Sequence, residues 1–294
     1  MTDAMPPDPL DLDLSPEAIL RWYADAGVDE CILDAPVDRF QLSADLLAQA
    51  EARRAPTPAP RPQGPAPAAA RQAPAAPPAS RGAASDRTRD EVRSAARMAA
   101  EAQTLEDLRA AMASFDRCPL KVTATTTVFA DGNPDADLMI IGEAPGAEED
   151  RQGKPFVGAS GQLLDRMLAS IGFTRDTFYI TNVIPWRPPG NRKPTPQEVG
   201  MCLPFIQRHI ELVRPKAIFM VGGLSAQSLL DRTEGITRLR GRWFEYAPRA
   251  MPDAIPAIAS FHPAYLLRSP QMKKLAWRDL LLLRERLREL GAAQ

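Results

Sequence analysis

At 294 residues, 45% of them hydrophobic, the chain can build one large domain or two ordinary ones around a substantial core. A net charge of −1 excludes a strongly charged protein, and no apolar run approaches the ~20 residues that a membrane span needs. Three cysteines (Cys31, Cys118, Cys202) exclude a disulfide framework and fit a reducing cytoplasm.

The opening, Met1 to Leu14, is acidic and proline-rich, unlike a signal or transit peptide. Residues 1–50 carry eleven acids against Arg21 and Arg39, a balance of −9, so the remainder sums to +8. A positive body suits a polyanionic partner. Ser15-Pro16-Glu17 reads as a helix start, and Ile19, Leu20 and Tyr23 give that helix an apolar face. It is either a small helix docking on the body or a handle for another protein.

Residues 51–85 hold nine prolines and many alanines, with Arg53, Arg54, Arg61, Arg71 and Arg81 among them. Such a stretch cannot bury a core and reads as a semi-extended, disordered linker. The domain plan is therefore a module over 1–50, a linker over 51–85 and a body over 86–294.

In the body, Thr104-Leu105-Glu106-Asp107 opens a helix ending near Phe115. Strands are expected over Thr125–Phe129, Leu138–Ile141, Phe178–Val183, Ala217–Val221 and Ala257–Phe261. Between them come helices near Gly161–Ile171, Pro196–Val213, Ser225–Leu230 and Met272–Leu290. Thr195-Pro196-Gln197-Glu198 combines an N-cap, a proline at the first helical position and the glutamate of a capping box. Strand–helix alternation implies an α/β fold with a mostly parallel sheet covered on both faces.

Three of these strands end in chemistry. Leu138–Ile141 runs into Gly142-Glu143-Ala144-Pro145-Gly146, with Glu148, Glu149 and Asp150 just beyond. Phe178–Val183 carries Asn182 near its end and leads into Arg187-Pro188-Pro189-Gly190-Asn191-Arg192. The last strand runs into His262-Pro263-Ala264-Tyr265-Leu266-Leu267-Arg268. The C-terminal edge of a parallel sheet is where α/β proteins bind ligands, and Glu143, Asn182 and His262 arrive there together. His209, the other of two histidines, lies mid-helix beside Ile206 and Ile210 and reads as structural.

With Pro155-Phe156-Val157-Gly158, these motifs resemble, in order and spacing over roughly residues 105–290, the family 4 uracil-DNA glycosylases. The resemblance implies a three-layer α/β/α fold on a central four-stranded parallel sheet. It also implies monofunctional hydrolysis of the N-glycosidic bond of deoxyuridine in base excision repair, leaving an abasic site. The substrate would be uracil-containing DNA, the enzyme a cytoplasmic, nucleoid-associated monomer without a membrane partner. Phe156 would stack on an extruded base, with Ala144 and Pro145 lining the pocket. Asn182 would accept from uracil N3–H and donate to O4, a pattern that cytosine reverses. His262 would stabilise charge growing on O2. Glu143 would contact uracil or orient water, with Glu148, Glu149 and Asp150 as alternatives or as a solvated helix turn. Leu266 and Leu267 would wedge into the base stack, beside Tyr265, or one of the two packs under the turn instead. Phosphates would meet Arg187, Arg192 and Arg268, with Lys193, Arg238, Arg240 and Arg242 as further candidates.

One departure stands out. The family holds a four-iron cluster on four cysteines, and here Cys118 and Cys202 match two of those positions while Phe115 and Trp186 occupy the others. Two thiolates do not complete such a ligand set, so no cluster and no other metal is expected. Two rivals are weighed: a non-catalytic binder of damaged or abasic DNA on the same fold, and a nucleotide-binding α/β enzyme using Gly142–Gly146 as an anion loop. The second lacks the lysine and glycine spacing of a P-loop.

Overall fold

The computed structural model describes residues 81–292, with side chains from Arg89 onward. The module over 1–50 and nearly all of the linker lie outside the described residues. Helix α1 (Arg81–Glu101) begins five residues inside the expected linker.

Chain order then gives α2 (Leu105–Ser114), α3 (Pro119–Thr123), β1 (Asp131–Gly132), β2 (Leu138–Gly142), α4 (Ala147–Gln152), α5 (Ala159–Ala169) and β3 (Phe178–Asn182). It continues with α6 (Pro196–Val213), β4 (Ala217–Val221), α7 (Gly223–Leu230), α8 (Ile236–Leu239), β5 (Trp243–Tyr246), β6 (Ile255–Ser260), α9 (Pro263–Arg268) and α10 (Lys273–Glu289). The expected capping box at Thr195 forms, and the helix start read at Thr104 proves to be a second one. Thr104 Oγ1 accepts from Asp107 N at 3.1 Å, and Thr195 Oγ1 from Glu198 N at 3.2 Å, with each carboxylate reaching back to its cap.

The sheet has the order β1-β3-β2-β4-β6-β5. Its central four strands are parallel, as expected, and a short antiparallel strand is added at each edge. Alternate residues of each central strand face opposite layers. Met139, Ile141, Ile218, Met220, Ala257 and Ala259 pack with residues of α1, α2, α6 and α7. Leu138, Ile140, Ile180, Phe219 and Ile258 pack with Leu164, Leu168, Leu280 and Leu283 of α5 and α10. Both faces are covered, hence the near-continuous apolar strands. Among the described residues no helix is long and apolar enough to cross a membrane.

One expected strand does not form. Thr125–Phe129 is an irregular strap, bent at Thr125 and Thr126, whose polar groups go elsewhere: Thr125 N and Thr126 N donate to Asp150 Oδ1 at 2.8 and 3.1 Å, and Val128 N to Pro185 O at 2.9 Å. Thr181 Oγ1 donates to Phe129 O at 2.6 Å. The ladder position beside β3 belongs to Asp131–Gly132 instead. β-branched threonines fit an extended backbone, but a strand also needs a neighbour to pair with.

Candidate active site

The parallel register sets the site. Gly142 on β2 and Asn182 on β3 are partners, and β4 pairs with β6 out to Val221 and Ser260. Glu143 and His262 therefore leave the sheet just beyond that common edge. A Cβ on Gly142 would lie under 3.0 Å from both Asn182 Oδ1 and the Phe156 ring, so only glycine lets the two side chains meet over the end of β2. The Phe156 ring in turn stacks on the His262 imidazole, with centroids 5.7 Å apart and planes 28° from parallel. Amide, aromatic ring and imidazole thus converge.

Asn182 is buried, and its Oδ1 is the buried side-chain polar atom left without a hydrogen-bond partner among the described residues. Such an atom costs about 1–3 kcal/mol, which a ligand donor would recover. His262 Nδ1 accepts from Ala264 N at 3.1 Å, so a neutral ring carries its proton on Nε2. Burial holds this imidazole below its ordinary pKa and Arg268 acts in the same direction, while Glu143 and Glu149 pull the other way.

Glu143 Oε1 accepts from Leu224 N at 2.9 Å, in the first turn of α7, where the helix dipole favours an anion. A Cβ on Gly222, whose φ is +116°, would collide with this carboxylate. Ser225 Oγ donates to Ile141 O at 2.7 Å, tying the same turn to β2.

Phe156 has φ +55°, a left-handed backbone that costs a non-glycine residue roughly 1–3 kcal/mol. Two side chains hold it there. Arg175 Nη2 donates to Phe156 O at 2.7 Å, and Glu149 Oε1 accepts from Val157 N and Gly158 N at 3.0 and 2.9 Å. Glu149 Oε2 accepts from Gly146 N at 3.1 Å. Glu149 and Asp150 are therefore buried braces, neither water ligands nor a solvated turn; Glu148 is exposed and paired with Arg151. Arg175 and the glycine at 142 were missed as functional residues. Gly142 carried a faint signal, a glycine at a strand end before an acid, but Arg175 acts through the main chain and leaves no motif.

Ala144 is half-buried and Pro145 buried beside Glu143. On α9, Leu267 is 42% exposed but Leu266 is fully buried, so Leu266 anchors the turn from below and is not a wedge. Tyr265 packs against Phe261 at 5.2 Å, and Arg268 is exposed. Arg192 forms a two-pronged pair with the buried Glu198 at 2.9 and 2.6 Å, and Arg187 Nε donates to Asn191 Oδ1 at 2.8 Å. Arg240 is committed to Asp279 and is no phosphate contact, whereas Lys193, Arg238 and Arg242 stay exposed. His209 is structural: buried, its Nε2 lies 2.9 Å from Tyr179 Oη, and its ring stacks on Phe129.

Phe115, Cys118, Trp186 and Cys202 meet in the core, none more than 1% exposed. Phe115 stacks on Trp186 at 6.4 Å and meets Phe205 edge-on at 5.3 Å. Trp186 Nε1 donates to Thr127 Oγ1 at 3.0 Å, and burial pushes the neighbouring Cys202 thiol well above its ordinary pKa. Two concavities of about 270 and 370 Å³ lie elsewhere, beside Trp243 and Trp277, and include none of Glu143, Phe156, Asn182 or His262. The Phe156 ring itself fills the space over Gly142.

The model of the uracil DNA glycosylase superfamily matches residues 129–281. A type-4 uracil-DNA glycosylase of Archaeoglobus fulgidus is 40% identical over 176 residues, covering 58% of this chain and 87% of that protein. One from Sulfurisphaera tokodaii is 36% identical over 187 residues, covering 62% and 84%. A type-5 uracil-DNA glycosylase of Pyrobaculum aerophilum is 29% identical over 150 residues, covering 46% and 64%.

Proposed function

The chain belongs to the uracil DNA glycosylase superfamily, and from that premise we propose that the edge formed by Gly142, Asn182 and His262 is its uracil pocket. The activity is that of a uracil-DNA glycosylase, a hydrolase of DNA repair. Within the superfamily we read it as a type-4 enzyme.

The observation that carries the pocket is the buried, unpaired Asn182 Oδ1 beside Phe156 and His262. An extruded uracil would supply N3–H to Oδ1 and take the amide N–H on O4; cytosine would place an acceptor against an acceptor. As the C1′–N1 bond breaks, both its electrons leave with the base and negative charge grows on O2. The Nε2–H of a neutral His262 is a preorganised donor for that charge. Water then adds its oxygen to C1′ and gives up a proton, which by way of a carboxylate or solvent neutralises the departed uracil anion. Glu143 is the carboxylate for that water, because Oε1 is fixed by Leu224 while Glu149 and Asp150 are occupied by main-chain N–H groups. Leu267, with Tyr265 and Arg268 near it, would face the DNA.

The four-cysteine cluster of the type-4 resemblance does not fit these residues. Phe115 and Trp186 offer no ligand, and among the described residues no three His, Cys, Asp or Glu side chains are grouped to hold a metal ion. We therefore read the enzyme as cluster-free, with aromatic packing in place of iron and sulfide. We also read it as a cytoplasmic, nucleoid-associated monomer without a membrane partner; the protein partner expected for residues 1–50 falls outside the described residues.

The test is release of free uracil from a duplex with a single uracil, with Asn182→Ala and His262→Ala for comparison. We expect release by the wild type and losses of about 10²-fold or more in each variant. Tight binding without release by the wild type would instead support a non-catalytic reader of damaged DNA.

A further inference from the structure

Behind the pocket, one residue ties the strand that delivers His262 to the turn that supports Glu143. Ser260 ends β6, two residues before His262. Its main-chain oxygen accepts from Gly222 N at 2.9 Å, at the turn from β4 into α7. Two residues later Leu224 N holds Glu143. The main chain of Ser260 therefore ties the approach to one polar group to the support of the other.

The side chain of Ser260 is held as firmly. Its Oγ donates to Asp279 Oδ2 at 2.6 Å, and both residues are fully buried. Arg240 completes the group: Nε donates to Asp279 Oδ2 at 3.0 Å, and Nη2 reaches Asp279 Oδ1 and Leu275 O. Its guanidinium also lies over the Phe261 ring, 5.4 Å from the centroid, so the residue between Ser260 and His262 is held too. Gly241, at φ +66°, admits no Cβ without a close approach to Asp279 Oδ1. The chain thus gives up a side chain to let this carboxylate in.

A buried ion pair is weak evidence for stability, since an apolar core of the same shape serves as well. What it adds is geometry, because both carboxylate oxygens are fixed by groups from two other segments. We propose that Ser260 and Asp279 are positioning residues for uracil excision, setting His262 and Glu143 against the base through the end of β6 and the start of α7. This rests on the reading that His262 and Glu143 line the uracil pocket.

Ser260→Ala removes one hydroxyl and little volume. Asp279→Asn keeps the shape and weakens the Arg240 pairing. Single-turnover uracil release and binding to the same duplex are measured for both, and again in a His262→Ala background, with urea melts alongside. A displacement of about 1 Å costs on the order of 10²-fold in rate, so Ser260→Ala should slow release by about 10- to 100-fold with DNA binding within about twofold. In the His262→Ala background the same change should cost at least about threefold less than in the wild type, leaving only the part that acts through Glu143, while the losses of stability add independently. That non-additivity in rate without non-additivity in stability is something a purely structural serine would not produce. Equal losses in both backgrounds, or full rates for both variants, overturn the positioning role while leaving the pocket in place. If His262→Ala itself releases uracil at the wild-type rate, the pocket reading and the positioning role fall together. Should Asp279→Asn fail to fold, the Ser260→Ala cycle decides the matter.

Discussion

Asn182 holds its carboxamide oxygen over Gly142, its register partner on the neighbouring strand, where a single methyl group on that glycine would come within 3.0 Å. The same methyl would strike the Phe156 ring. Gly142→Ala must therefore push apart two of the groups that converge on the base. We expect uracil release to fall by about 10²-fold, with a change in melting temperature too small to account for it. A variant with more than half the wild-type rate would show that Asn182 and Phe156 do not need their observed contact.

Glu143→Gln tests the water-orienting carboxylate. Glutamine can still accept from Leu224 N, so the cap on α7 is preserved while the charge is lost. The expected loss in single-turnover rate is about 10²-fold, with DNA binding little changed. Glu149→Gln should act differently, loosening the Gly146 and Phe156 loops and lowering stability as well as rate. Identical profiles for the two variants would argue against separate roles.

The two leucines of α9 should part company. Leu266→Ala opens a hole in the core and should cost about 2–5 kcal/mol in a urea melt. Leu267→Ala should leave the melt unchanged and slow release from duplex DNA more than from single strands, since only a duplex needs a wedge.

His209 makes stability depend on pH. Burial pushes its imidazole from 6.5 down to about 3, and Arg109 acts in the same direction. Between those values the unfolded chain binds a proton that the folded one refuses. The stabilisation is therefore complete above pH 6.5 and is lost as pH falls towards 3, by roughly 1 kcal/mol per pH unit. His209→Gln, whose amide can still hydrogen-bond to Tyr179 Oη, should flatten the difference between urea midpoints at about pH 7 and about pH 4.5. His262, shifted the same way, keeps part of that difference in the variant.

Replacing Cys118 and Cys202 together by alanine should leave uracil release within about threefold of wild type, at a stability cost of about 1–3 kcal/mol for the small cavities. The wild-type protein, purified without air, should show no visible sulfur-to-iron absorption. Colour that disappears with the double substitution would restore a metal cluster to this site.

Much of this was legible in the chain itself. Leu138–Ile141, Phe178–Val183 and Ala217–Val221 are apolar runs bounded by breakers, and all three form strands close to the expected ends. Thr195 and Glu198 close their box as their spacing demands. These features depend on residues within one turn or one strand, so neighbours in sequence encode them. Thr125–Phe129 had the composition of a strand and failed for want of a ladder to join.

The local chemistry of the sequence, then, determined which residues reach the sheet edge: Glu143, Asn182 and His262 each follow or end a buried strand, and parallel pairing brings such ends together. Only the tertiary structure decided what each side chain does on arrival. Leu266 and Leu267 are chemically identical, yet helical rotation buries one and exposes the other. Arg240 is claimed by a carboxylate 39 residues away, and Arg175 holds a loop 19 residues back. Burial and pairing at that range depend on what the fold sets opposite a residue, which no local pattern records.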